Sequence, residues 1–134
     1  MPRACVQVMK ATCVEDLLVY QKALAVAHRV SAILKRPCFQ RDPRLHDQLS
    51  ASSDAVPSLI AEGFGQSSDR QFAQSLYKSR SESKETRTHL RVAKGRDYVE
   101  ERELVDLCSQ YEEIEKMETG LIRYLQREDR KFRG

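Results

Sequence analysis

"FAQSLYKSRSESKETRTHLRVA" (72–93) is a polar string in which Phe72, Leu76, Ser79, Ser83, Thr86, Leu90 and Ala93 return at intervals of 4-3-4-3-4-3. That spacing is the period of an α-helix with one face turned to a seam. Three of the seven are hydroxyl residues. Ser79, Ser83 and Thr86 are small enough to let neighbouring helices approach, and each can return a hydrogen bond to the carbonyl four residues back. With no histidine placed to activate them, tight packing is favoured over a serine nucleophile. One residue further along, and so about 100° around the helix, Arg80, Lys84, Arg87, Arg91 and Lys94 form a second, cationic stripe.

Toward the N-terminus the string is preceded by "VPSLIAEGFGQSSD" (56–69). A phosphate-cradling loop needs Gly-x-x-x-x-Gly-Lys-Ser/Thr entering a helix from a strand. Gly63-Phe64-Gly65 has neither the lysine nor the strand, so the stretch is a corner between two helices. Ser68, with Gln71 three residues later, reads as a capping box that starts the next helix. Gly63 is expected to end the helix before it. Pro57 lies inside that helix and lacks the N–H that would bond the Ser53 carbonyl, which predicts a kink near 53–57. Glu62 in the last turn opposes the macrodipole by up to ~1 kcal/mol. A basic neighbour or the amides of the next helix are therefore expected to hold it.

Three further segments carry the same period. The first, 15–36, places Leu17, Tyr20, Leu24, Ala27, Ser31 and Leu34 on one stripe; the second places Leu45, Leu49, Ser52, Val56, Leu59 and Gly63. The fourth places Leu104, Leu107, Tyr111, Ile114, then Met117 or Glu118, then Leu121 and Leu125. "RPCFQRDP" (36–43) is expected to interrupt the helix, because each proline biases the residue before it away from helical torsions. Gly95 is expected to end the third segment in the left-handed conformation. Four such segments with short joints predict an all-α, antiparallel up-down-up-down four-helix bundle over 14–131, its second helix kinked at Pro57. Residues 1–13 form an extension expected to be poorly ordered.

Composition narrows the function. The chain has 134 residues with few glycines and prolines, enough to bury one core. No apolar run approaches the ~20 residues that cross a bilayer, and the N-terminus lacks a signal-peptide core. Cys5, Cys13, Cys38 and Cys108 are scattered without a Cys-x-x-Cys pair, which suits a reducing cytoplasm. His28, His46 and His89 have no ligands at metal spacing, so no metal site is expected. A di-iron bundle would require Glu-x-x-His on two helices, and that motif is missing. No catalytic residue, cofactor or small-molecule substrate is indicated.

Charge is distributed in blocks. Residues 78–96 carry seven basic and two acidic residues, 97–118 two basic and nine acidic, and 119–134 five basic and two acidic. Such blocks concern association surfaces. The stripe Arg80, Lys84, Arg87, Arg91 and Lys94 could follow a phosphate backbone, by charge rather than by base reading, since only Tyr77 and Tyr98 lie near it. It could equally pair with the acidic fourth segment, within the chain or between subunits of a head-to-tail ring.

"EDLLVYQKALAVAHRV" (15–30), "VPSLIAEGFGQSS" (56–68) and "HLRVAKGRDYV" (89–99) resemble the small bacterial four-helix-bundle proteins called 23S rRNA intervening-sequence proteins. The resemblance covers about residues 14–126. Its most specific element is Ile60, Ala61, Glu62, Gly63, Phe64 and Gly65 joined to Ser68 and Phe72. The resemblance implies an antiparallel bundle packed as a homopentameric ring, no enzymatic activity, and RNA or DNA as a candidate ligand. Ser50-Ala51-Ser52, Leu59 and Gln66 stand where relatives carry polar or basic residues. The alternative is a protein adaptor that uses the acidic fourth segment or the tail "RKFRG" (130–134).

Overall fold

The computed structural model describes residues 11–66 and 68–127. Of the N-terminal extension only 11–13 fall among these, and the "RKFRG" tail lies outside them. The described residues are all-α, without a strand. After a 3₁₀ turn at Val14–Asp16 come α1 (Leu18–Leu34), the single turn α2 (Pro37–Gln40), α3 (Pro43–Phe64), α4 (Asp69–Gly95) and α5 (Glu101–Leu125). No helix is long and apolar enough to cross a membrane.

The prolines of "RPCFQRDP" interrupt the helix as expected, and each also starts a new one. Arg36 (ψ 143°) and Asp42 (ψ 70°) are pushed out of the helical region, as residues before proline should be. Each proline then occupies the first turn of a new helix, where its missing N–H costs nothing. The segment therefore holds one helical turn, and its Phe39 is fully buried. Asp42 caps α3 by accepting from the Leu45 amide. Ser68 caps α4 by accepting from the Gln71 amide at 3.2 Å, as expected.

The end of α4 also departs from the sequence reading. Gly95 stays within the helix, and the left-handed residue is Asp97, at φ 62°. The Asp97 amide bonds the Lys94 carbonyl and the Tyr98 amide bonds the Ala93 carbonyl. This is the paired closure in which the residue two past the helix satisfies the third-last carbonyl. Aspartate is among the few residues other than glycine that tolerate this conformation. At the other corner α3 continues through Phe64 rather than stopping at Gly63, and Gly65 is its cap.

Each long helix packs against two others: α1 on α3 and α5, and α4 on α3 and α5. All seven stripe residues of α4 are buried. In α3 the stripe is buried except for Leu59, which is half-buried while Ile60 takes the core position. Of the expected first stripe, Leu17, Ala27 and Leu34 are buried, but the other three positions are displaced. Val19, Ala23, Val26, Val30 and Ile33 fill the core, Tyr20 and Leu24 are half-buried, and Ser31 is exposed. β-Branched and small residues occupy that seam, so the larger leucine and tyrosine misdirected the choice of phase. In α5, Glu118 rather than Met117 takes the ambiguous core place.

Candidate functional site

The five stripe cations have unlike surroundings. Arg87 turns inward. Its Nε and Nη2 donate to the two oxygens of Glu115 at 2.8 and 2.6 Å, and Glu112 lies 3.8 Å from Nη1. The Glu115 carboxylate holds the guanidinium pKa above its ordinary value. Arg80 donates to the Thr119 hydroxyl at 2.8 Å and lies over the Tyr77 ring, 5.0 Å from its centroid. Lys84 and Arg91 are exposed and Lys94 is half-buried. Among the described residues these three have no ion pair.

The acidic residues of α5 divide between two neighbours. Glu103, Asp106 and Glu113 pair with Arg36, Arg29 and Lys22 of α1. Glu112 and Glu115 face α4 and attend Arg87, and Glu118 is buried against Ser79 and Arg80 of α4. Arg80, Lys84, Arg87, Glu112, Glu115, Lys116, Thr119, Gly120 and Arg123 therefore line a groove of about 580 Å³ between α4 and α5.

Beneath the groove runs a buried polar seam. Ser79 donates to the Val56 carbonyl at 3.1 Å, and Ser83 donates to Glu115 at 2.7 Å. Both thus reach across to another helix instead of back along their own. Thr86 alone makes the expected bond to the carbonyl four residues back, 2.8 Å to Glu82, and it shares a 2.8 Å bond with Ser52.

Glu118 is fully buried, and neither of its carboxylate oxygens has a hydrogen-bond partner. Burial pushes its pKa up to about 8, and the Glu115 charge adds to the shift. The neighbouring Ser79 hydroxyl and Arg80 favour the ionised form, but Ser79 directs its proton to Val56. The Tyr111 hydroxyl is likewise buried and unpaired. Burial raises its pKa too.

The corner carrying Ile60, Ala61, Glu62, Gly63, Phe64, Gly65, Ser68 and Phe72 is a packing site. Ile60 is buried, and Phe64 meets Phe72 edge to face with centroids 6.1 Å apart. A Cβ on Gly63 would lie 2.5 Å from Ser75 Cβ, so glycine is what lets α3 and α4 touch here. Ala61 and Ser68 are half-buried and Gly65 is exposed. Glu62 is exposed and has no partner among the described residues. The expected basic neighbour is missing, and a solvated side chain simply bears the small dipole cost.

A second cluster joins four segments at the opposite end. Asp42 accepts from Arg96 at 2.6 Å and from the Tyr98 hydroxyl at 2.9 Å. The Tyr98 bond is the main cause holding the Asp42 carboxyl below its ordinary pKa. Arg36 donates to the Tyr98 carbonyl and forks onto Glu103. Nothing in the charge pattern singled out Arg36, Asp42 or Glu115. The available signal was indirect: a buried hydroxyl such as Ser83 needs a partner, and a carboxylate on the facing helix can supply it.

A family model described as 23S rRNA-intervening sequence protein matches residues 15–120. No curated protein and no solved structure matches.

Proposed function

Because the chain belongs to the 23S rRNA-intervening sequence protein family, we propose that it is a non-catalytic, ring-forming module that binds nucleic acid through the basic surface of α4. The unit is an antiparallel up-down-up-down four-helix bundle bent at Pro57. The reading includes a homopentameric ring in the cytoplasm, with RNA or DNA as ligand. The opposed numbering of the contacts supports the topology. Arg36, Arg29 and Lys22 descend along α1 as Glu103, Asp106 and Glu113 ascend along α5. Ser79 and Thr86 likewise meet Val56 and Ser52 in reverse order.

The observation that carries the nucleic-acid reading is the division of the acidic residues. Glu103, Asp106 and Glu113 of α5 are occupied by Arg36, Arg29 and Lys22, which leaves Lys84, Arg91 and Lys94 outside any ion pair among the described residues.

Structured RNA and duplex DNA titrated at several salt concentrations test the proposal. About four phosphate contacts give a log-affinity slope against log salt of roughly −3 to −4. Lys84→Glu with Arg91→Glu should flatten the slope and weaken binding, with the light-scattering mass unchanged at five subunits. Affinity indifferent to both salt and substitution would refute the ligand. A mass that falls with the substitutions would mean that the stripe joins subunits.

A further inference from the structure

We propose that the phosphate-binding element is the two-walled groove between α4 and α5, with Lys116 and Arg123 of α5 completing a site for a single nucleic-acid strand. This rests on the nucleic-acid reading above and narrows it. The groove takes Arg80 and Lys84 from one wall and Lys116 and Arg123 from the other. Lys84, Lys116 and Arg123 are exposed, and none has an ion pair among the described residues. Arg80 is held by a neutral hydroxyl and an aromatic face, so its charge stays available while its position is fixed. Glu112 and Glu115 also face the groove, but Arg87 sits against both. The groove therefore has four cations outside ion pairs, and its five basic and two acidic side chains leave a net charge of +3.

The second wall follows from helix geometry. Lys116 and Arg123 are two turns apart, about 10 Å along the axis, and roughly a quarter-turn from the flank that meets α1. On the side of net-acidic α5 that faces α4, Lys116 and Arg123 thus balance Glu112 and Glu115, which block charge counts conceal. Gly120 lies between the two and leaves that wall low; a Cβ there would meet nothing within 4 Å. Cations spread over about one turn of the α4 wall and two of the α5 wall, with no enclosed donor among them, suit a chain of phosphates better than one phosphate ion. Tyr77 is already covered by Arg80, so the site recognises backbone charge and not base identity.

A fluorescein-labelled single-stranded oligoribonucleotide, followed by anisotropy at low salt, separates the possibilities. Lys116→Glu with Arg123→Glu should weaken binding by at least about tenfold and reduce the log–log salt slope by about 1.4. Lys35→Glu with Arg41→Glu, exposed cations outside both the stripe and the groove, should change affinity by less than about threefold, and Lys116→Arg with Arg123→Lys should retain it. Circular dichroism and light scattering establish that each variant keeps its fold and mass. If the wild-type protein binds and the α5 variant binds equally well, the groove is wrong and the α4 reading survives. If the wild-type protein binds no oligonucleotide, both fail. A changed mass for the α5 variant would make the groove a subunit contact and overturn the site.

Discussion

At Gly63 a missing methyl group decides whether two helices can touch. Gly63→Ala forces Cβ to 2.5 Å from Ser75 Cβ, an overpacking cost of about 1–3 kcal/mol that outweighs the ~1 kcal/mol gain in helix propensity. Gly120→Ala meets no neighbour, so only the propensity gain remains and the variant should be more stable by up to ~1 kcal/mol. Thermal unfolding of the pair should show opposite signs. Glu118 gives a second prediction. Its folded pKa, about 8, lies above the ordinary 4.5, so the unfolded chain releases this proton first as pH rises. Its contribution is therefore full below about pH 4.5, declines by on the order of 1 kcal/mol per pH unit up to about 8, and is then constant. Glu118→Gln should remove that decline in urea unfolding between pH 5 and 8. The lowered carboxyls Asp42 and Glu103 titrate below this window, whereas Glu82, raised by burial, keeps its own share of the decline in the Glu118→Gln protein.

At the scale of elements, the period of α4 was readable because seven core residues alternated at strict intervals against a charged background. α1 was readable in phase only in part, at Leu17, Ala27 and Leu34, since apolar residues occur all around it and size favoured Leu24 over Val26. The α4 cap at Ser68 followed from side-chain chemistry, whereas the left-handed Asp97 did not, because Gly95 stood nearby as the cheaper candidate. The stripe cations were visible as a row, but Arg87 could not be separated from Lys84 by spacing alone. What separates them is a partner contributed by another helix. Arg87→Ala should cost about 3–5 kcal/mol by leaving the Glu115 charge buried without its counter-ion. Arg87→Met with Glu115→Leu should recover most of that loss. A double-mutant cycle by chemical denaturation measures the coupling, and additive losses would show that the pair is not energetically linked.

On the scale of the whole molecule, the charge blocks concealed an internal division of labour. Of the seven acidic residues of α5, three hold α1 and the joint after it and two attend Arg87, while Lys84, Arg91 and Lys94 of α4 stay outside ion pairs. Association should therefore be more sensitive to salt than the mild net charge of +3 suggests. The two ends of the molecule are also unequal. At one end, Asp42, Arg96, Tyr98, Arg36 and Glu103 tie the joint after α1, the start of α3, the exit of α4 and the entry of α5. The corner at Gly65 has an aromatic contact and one cap instead. Spontaneous opening should start at the Gly65 corner and travel away from it, like a zipper fastened at its far stop. In deuterium exchange, amides near 62–70 should lose protection before those near 94–100, and Tyr98→Phe, which cuts the Asp42 bond, should narrow that gap.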